Sequence, residues 1–219
     1  MQTIKDMISY VQENYDLLLL YTGQHLLMVV CGVFLALIAG TLLGIVCARY
    51  KKAAPFILAL ANIIQIIPSL ALLAILMVYF GLGFYTVVAG LFLYSLLPII
   101  RNTYVGLDQV DKSLVEAGHG IGMTYLQLLL KVQLPLAMPF IMAGLRIAAV
   151  IAVGVATIAP FVGGDGLGRE IFSGINSRND MRIFVGAIPA SLLAIIADLI
   201  LGRMERNMKY STKPKTSQP

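Results

Sequence analysis

The chain has 219 residues, 59% of them hydrophobic and 12% charged, with a mean hydropathy of +0.87, whereas a soluble domain carries about 25% charge. So little charge excludes a water-exposed surface over most of the chain. A net charge of +5 and a pI near 9.2 do not point to nucleic acid, because Lys and Arg flank apolar blocks instead of lining one basic face.

Residues 1–24 carry Lys5 against Asp6, Glu13 and Asp16 and mix LLLL with these charges. They lack the basic start and small-residue cleavage site of a signal peptide, and are expected to form an outer segment, a helix lying on the membrane surface. Continuously apolar blocks follow at 25–47, 56–80, 84–100, 136–158 and 182–202, each close to the ~20 residues that a helix needs to cross the hydrocarbon core. Strand-type alternation is absent, so an all-α integral membrane protein with about five transmembrane helices is expected. Cys31 and Cys47 share the first block, about 24 Å apart along a helix axis, too far to pair within it. Pro68, Pro98, Pro139 and Pro189 fall in or at the ends of four blocks, where each removes a backbone donor and tends to kink the helix.

Charge sets the expected orientation. Arg49, Lys51 and Lys52 follow the first block, Arg101, Lys112 and Lys131 the third, and Arg203, Arg206, Lys209, Lys213 and Lys215 the fifth. The other side has Lys5, Arg169, Arg178 and Arg182. The positive-inside tendency then places the N-terminus outside and the C-terminus, with the polar tail 206–219, in the cytoplasm.

The long connection 111–135 falls on the cytoplasmic side in this scheme, and long connections with structure of their own are often functional. Ser113 with Glu116 has the S-x-x-E spacing of a capping box, and Thr124 with Gln127 repeats it as T-x-x-Q. Two short helices joined by a glycine turn at His119–Gly122 are expected, the second running from Tyr125 to Gln133 and ending at Pro135. The pair makes a compact knob for a partner. On the structural alternative, Glu116 merely caps and the glycines merely turn.

Further along, GGDGLG at 163–168 is out of register with a nucleotide fingerprint and reads as a flexible outer turn. Arg146 and Asp198 interrupt apolar spans, where an ionised side chain faces protein or water, or snorkels near a span end. His25 and His119 are isolated, without metal-ligand spacing. The chain also lacks G-x-x-x-x-G-K-[ST], so no nucleotide-binding or catalytic residue is expected on it.

Glu116, Ala117, Gly118, Gly122, Val132, Leu134 and Pro135 resemble, in spacing, the cytoplasmic signature of the permeases of binding-protein-dependent ABC importers. Gly118 stands where that family has a third-position Ala, and Val132 where it has Ile. The resemblance implies a type I importer permease fold over residues 25–205, with these seven residues forming the coupling loop that seats in an ATPase subunit. It extends through NIIQIIPSLALL, LYSLLPIIRNTYVGL and APFVGGDGLGREIFSGI, which look like the osmoprotectant branch, importing glycine betaine, carnitine or choline.

Implied partners are cytoplasmic ABC ATPase subunits holding ATP and Mg, a second permease subunit identical or paralogous, an external solute-binding protein, and membrane lipid. The implied site is the plasma membrane of a prokaryote, crossed several times. Arg169 and Glu170 are the implied polar contacts for the binding protein. Tyr79, Phe80, Phe84, Tyr85 and Tyr94 offer rings either to a quaternary ammonium in a passage or, more simply, to the membrane interface. The alternatives are a permease for another small solute such as an amino acid, and a stand-alone channel or membrane enzyme.

Overall fold

The computed structural model describes residues 2–211, with side chains described from 7 to 208, and among these the secondary structure is entirely helical. The elements are α1 (Gln2–Glu13), α2 (Tyr15–Arg49), α3 (Ala54–Ile66), α4 (Ser69–Phe80), α5 (Phe84–Asp108), α6 (Lys112–Gly120), α7 (Tyr125–Leu128), α8 (Leu134–Ala156), α9 (Gly168–Ser177) and α10 (Asp180–Ser211). A π-helical stretch, Leu129–Gln133, joins α7 to α8, and a 3₁₀ turn, Ala159–Val162, follows α8. Residues 212–219, most of the expected polar tail, lie outside the described residues.

Four continuous helices are long and apolar enough to cross a membrane: α2, α5, the run from Tyr125 to Ala156, and α10. The α3–α4 pair makes a fifth if its two halves count as one span, but they meet at 99°. The expected span 56–80 is therefore broken at Pro68, one of the four prolines expected to kink their helices. Ile67 is forced extended ahead of the proline, with φ −60° and ψ 128°. The Tyr94 hydroxyl donates to the Ile67 carbonyl left over at the break, and Gln65 Nε2 donates to Tyr94 O at 3.4 Å. Pro98, Pro139 and Pro189, by contrast, lie inside helices that continue through them. At the first of these, Asn102 Nδ2 donates to Pro98 O at 2.7 Å. The carbonyl that Pro98 leaves without its helical donor is Tyr94 O, the one that Gln65 Nε2 reaches.

α5 is the axis of the bundle, buried from Thr86 to Leu107 along most of its length. α2 lies against it through Gly32, Ala36, Gly40 and Gly44, spaced every four residues and all buried. A Cβ at Gly32 would stand 2.6 Å from Leu91 Cβ, and one at Gly44 would stand 2.5 Å from Thr103 Cβ. In lipid, where apolar burial between helices gains little, such close backbone approach is the main source of association. α8 covers another face of α5, with Ala137, Ala148, Ala152 and Ala156 fully buried, and α10 packs outside α8. Large apolar side chains such as Phe34, Leu42, Ile195 and Ile200 point outward, as they do on a surface that meets hydrocarbon.

The boundaries differ from the sequence expectation at both ends of the first block. α2 begins at Tyr15, ten residues before 25, and only α1 precedes it as a separate short helix. α5 likewise runs on to Asp108 and α10 to Ser211, because polar residues continue a helix once it leaves hydrocarbon.

Candidate functional site

The C-terminal ends of α2 and α5 meet the 111–135 connection at one end of the bundle, and that connection folds as a knob. Its first helix is capped two residues earlier than the S-x-x-E spacing predicts. Asp111, not Ser113, is the N-cap, and its Oδ1 accepts the Ser113 N–H at 2.9 Å. This bond, with that from the Ser113 side chain, holds the Asp111 carboxyl below the usual carboxylate range. Glu116 is exposed and takes no part in that cap. The second expected box does form: Thr124 Oγ1 accepts from Gln127 N–H at 3.4 Å, and Gln127 Oε1 accepts from Thr124 N–H at 2.9 Å.

Between the caps, the chain reverses through a Schellman motif. Met123 N–H donates to Gly118 O and Gly122 N–H to His119 O, both at 3.0 Å, with Gly122 at φ +82°. Any side chain at Gly122 would sit in the left-handed region at a cost of about 1 kcal/mol. Gly118 is buried where a Cβ would lie 2.6 Å from Leu128 Cδ1. Its smallness lets α6 close onto α7. The signature residues therefore divide by role: Gly118 and Gly122 shape the turn, Glu116 and Ala117 are exposed on α6, and Val132 and Leu134 are half-buried beneath it. Leu114 and Ile121 are also exposed, the latter by 77%, which is unusual for an isoleucine on a polar surface.

Pro135 does not end the second helix as expected. The chain widens into a π-turn just before it, with Leu134 N–H donating to Leu129 O five residues back, and this makes room for the proline ring. Leu129 and Leu134 pack with Leu107, Ala137, Ile45 and Ala48, so the base of the knob is continuous with α2, α5 and α8. Two polar contacts, which no local spacing announces, add to this. The Arg49 guanidinium lies 3.8 Å from the Tyr125 ring centroid and ties α2 to the knob, and Lys51 Nζ, 2.6 Å from Asp108 Oδ1, joins the ends of α2 and α5 beside it.

At the opposite end, Glu170 on α9 is 1% exposed. Arg182 grips it with Nε on Oε2 at 2.9 Å and Nη2 on Oε1 at 3.2 Å, and Tyr10 Oη donates to Oε2 at 3.0 Å. Glu170 therefore joins α1, α9 and α10 and is not presented as a surface contact, which corrects that part of the sequence expectation. Arg169 is exposed and pairs with Asp165. The GGDGLG turn is packed, not loose: a Cβ at Gly168 would lie 1.9 Å from Thr157 O, and Gly166, at φ +113°, rests on His25. His25 is itself fully buried, with Nε2 3.1 Å from Val153 O. Of the aromatic residues singled out, Tyr94 is buried at the α3–α4 break, while Tyr79, Phe80 and Tyr85 are exposed and Phe84 stands edge-on to Tyr85. They do not converge on one cage. Among the described residues no group of three His, Cys, Asp or Glu side chains is placed to hold a metal ion.

Residues 40–210 match the family described as binding-protein-dependent transport system inner membrane component. The chain belongs to that family. It is a multi-pass subunit of an importer in the cell membrane, and its role is transport. It is 47% identical over 216 residues to the glycine betaine/carnitine/choline transport system permease protein OpuCD of Bacillus subtilis, covering 98% of this chain and 94% of that one. It is 48% identical to the carnitine transport permease protein OpuCD of Listeria monocytogenes, covering 99% of both. Among solved structures, it resembles a chain of the inward-facing MetNI methionine ABC transporter with a TM-score of 0.77 at 21% identity, covering 90% of this chain and 98% of that one. At that identity the likeness shows the type I importer permease fold alone.

Proposed function

We propose that this permease passes a quaternary ammonium osmoprotectant, glycine betaine, carnitine or choline, across the membrane, using ATP hydrolysed on a separate ATPase that docks on the α6–α7 knob. The observation that carries the substrate class is the identity of 47–48% to permeases named for these solutes, over 98–99% of this chain. The likeness to a methionine importer supports an amino acid no further than the shared fold.

The knob supports the coupling reading. Leu114, Ala117, Ile121 and Gly122 are exposed on a helical turn held by two caps and a Schellman bond. A rigid apolar projection of this kind fits a cleft with little ordering cost. Its base packs on α2, α5 and α8, so displacement of the knob moves the ends of spanning helices, and ATP-driven closure of two ATPase subunits biases the bundle between its two open states. The basic flanks at this end, Arg49, Lys51, Lys52 and Lys112, favour the cytoplasm as its side. The N-terminus then lies outside, where a solute-binding protein meets the α9 end and its exposed Arg169. Five spans are few to enclose a passage, and a second permease subunit completes it.

Uptake of labelled glycine betaine, carnitine and choline, measured under osmotic upshift in cells lacking this gene, tests the substrate. Loss of uptake of at least one of them is expected. Unchanged uptake of all three removes the osmoprotectant assignment, whereas failure of the tagged chain to bring down an ATPase removes the coupling assignment.

A further inference from the structure

Between α6 and the ends of α2 and α5 lies a recess of about 220 Å³. Ile45 and Ala48 of α2, Leu107 of α5 and Leu129 of the π-helical stretch line it, together with Arg49, Lys51, Asp108 and Lys112. The apolar four are buried or half-buried and the charged four exposed. The recess therefore has an apolar floor and a charged rim. On that rim Lys51 is paired with Asp108 at 2.6 Å, and among the described residues Arg49 and Lys112 have no carboxylate partner. Arg146 on α8, by contrast, is held by Asp198 and Glu205 of α10 at 2.6 and 3.5 Å. Tyr125 and Tyr50 fix the Arg49 guanidinium, 3.8 and 5.5 Å from their ring centroids, and neither ring neutralises it. The rim thus keeps two positive charges in excess.

Two features set the level of the recess. It lies where α2 passes from apolar residues to Arg49, Tyr50, Lys51 and Lys52, the basic and aromatic composition of a membrane interface. At about 3.6 residues per turn, Lys112 and Val115, which line the recess, fall on the opposite side of α6 from the exposed Leu114 and Ala117. The recess is therefore on the face of α6 turned away from the surface offered to the ATPase.

We infer that this recess binds the headgroup of an anionic phospholipid of the cytoplasmic leaflet, its phosphate held by Arg49 and Lys112 over the apolar floor. The inference goes beyond transport itself and rests on the permease reading only for placing the knob in the cytoplasm. Anionic lipid is attracted to basic residues beside spanning helices on that side. A free phosphate would satisfy the rim and leave the floor of Ile45 and Leu129 wet, whereas a phospholipid covers both, with its glycerol and first acyl carbons on the floor. α6 packs on α7 and the π-helical stretch. A lipid shared by Arg49 and Lys112 adds a link from α2 to α6 itself, beside the contact that Arg49 makes with Tyr125.

The test uses the assembled transporter, with its permease subunits and ATPase, reconstituted in equal parts of phosphatidylglycerol and phosphatidylcholine. Native mass spectrometry counts the phospholipids that stay on this permease when it is ejected from the complex. Wild type is expected to retain one phosphatidylglycerol in preference to phosphatidylcholine. Lys112→Gln should lower that preference about fivefold, and Arg49→Gln with Lys112→Gln about thirtyfold, from the usual contribution of one basic residue near an anionic surface. Lys131→Gln removes the same charge from the knob outside the recess and should lower it less than about twofold. Because Arg49 also holds Tyr125, Lys112→Gln alone decides if the double variant fails to assemble. Equal retention of the two lipids by wild type, or a loss in Lys131→Gln as large as in Lys112→Gln, overturns the inference. Excess glycerol 3-phosphate is expected to leave the lipid in place, and its displacing the lipid would make this a free-phosphate site and overturn the inference too. Uptake and ATPase capture separate the two readings. An active transporter without lipid preference loses the lipid site and keeps the permease assignment, whereas the preference in a chain that captures no ATPase keeps the site and removes the coupling assignment.

Discussion

The two ends of the bundle hold themselves together in opposite ways. The α6–α7 knob is made from neighbours: each hydrogen bond that forms its caps and turn joins residues at most five positions apart, and most of its surface is exposed. The Glu170 cluster is made from strangers: Tyr10 and Glu170 lie 160 positions apart, and the carboxylate they share with Arg182 is buried. A locally built element keeps its shape when a partner pushes on it, and so it suits docking. A junction of distant segments instead ties α1, α9 and α10 into one body, and it is stable only while all three are in place. Removing one member should therefore have larger consequences at the Glu170 end than at the knob.

The largest effect on stability is expected for Glu170→Gln. It leaves the Arg182 guanidinium without its bidentate partner, and the expected loss is about 3 kcal/mol, the low end for breaking a buried pair because Arg182 stays partly exposed. Thermal unfolding of the purified permease in detergent measures it, and an unchanged midpoint would show that the cluster holds nothing together. At the knob, Gly122→Val should cost only about 1–2 kcal/mol, from a β-branched residue at positive φ. Its effect on transport should nonetheless be severe, with ATPase recovery on the tagged permease and solute uptake falling together. Thr124→Ala removes one half of a capping box and should cost about 1 kcal/mol, seen as faster amide exchange confined to residues 124–128.

Acid should have the smallest effect. The Asp111 carboxyl is held below its usual range by the Ser113 N–H, so its cap is complete above the unfolded carboxylate value of about 4 and is lost as pH falls through the lower folded value. Protection of α6 amides is therefore expected to fall below about pH 4 in the wild type. In Asp111→Asn, which caps without titrating, it should not. A wild-type profile that is flat over this interval would remove Asp111 as the cap.

The same contrast governs what a linear reading reaches. Five apolar blocks, the Thr124–Gln127 box and the turn at Gly122 are all local patterns, and the structure contains the box, the turn and four of the blocks as continuous helices, the block 56–80 being split at Pro68. The S-x-x-E at Ser113–Glu116 is equally local, yet Asp111 outcompetes it, because an aspartate two residues upstream offers its carboxylate to the same amide region. Among four prolines, only Pro68 breaks its span, and the hydroxyl that accommodates the break belongs to Tyr94, on another helix. Glu170 and Arg169 are adjacent in sequence and alike in polarity, but one faces Arg182 and Tyr10 while the other faces solvent. Nothing near Glu170 in the chain indicates that its partners arrive from α1 and α10. The Gly32, Ala36, Gly40, Gly44 seam was available as small residues at multiples of four, a pattern that points to close helix packing in lipid.

The central claim is that the exposed turn of α6 is where this permease meets its ATPase. Site-directed cross-linking tests it most directly: Ile121→Cys, in transporter lacking Cys31 and Cys47, is treated with a short thiol-to-amine cross-linker, and the products are separated by mass. The account predicts a permease–ATPase adduct from Ile121→Cys and none from Tyr85→Cys at the other end of α5. An active transporter in which Ile121→Cys yields no adduct, or in which Tyr85→Cys yields it instead, would contradict the account.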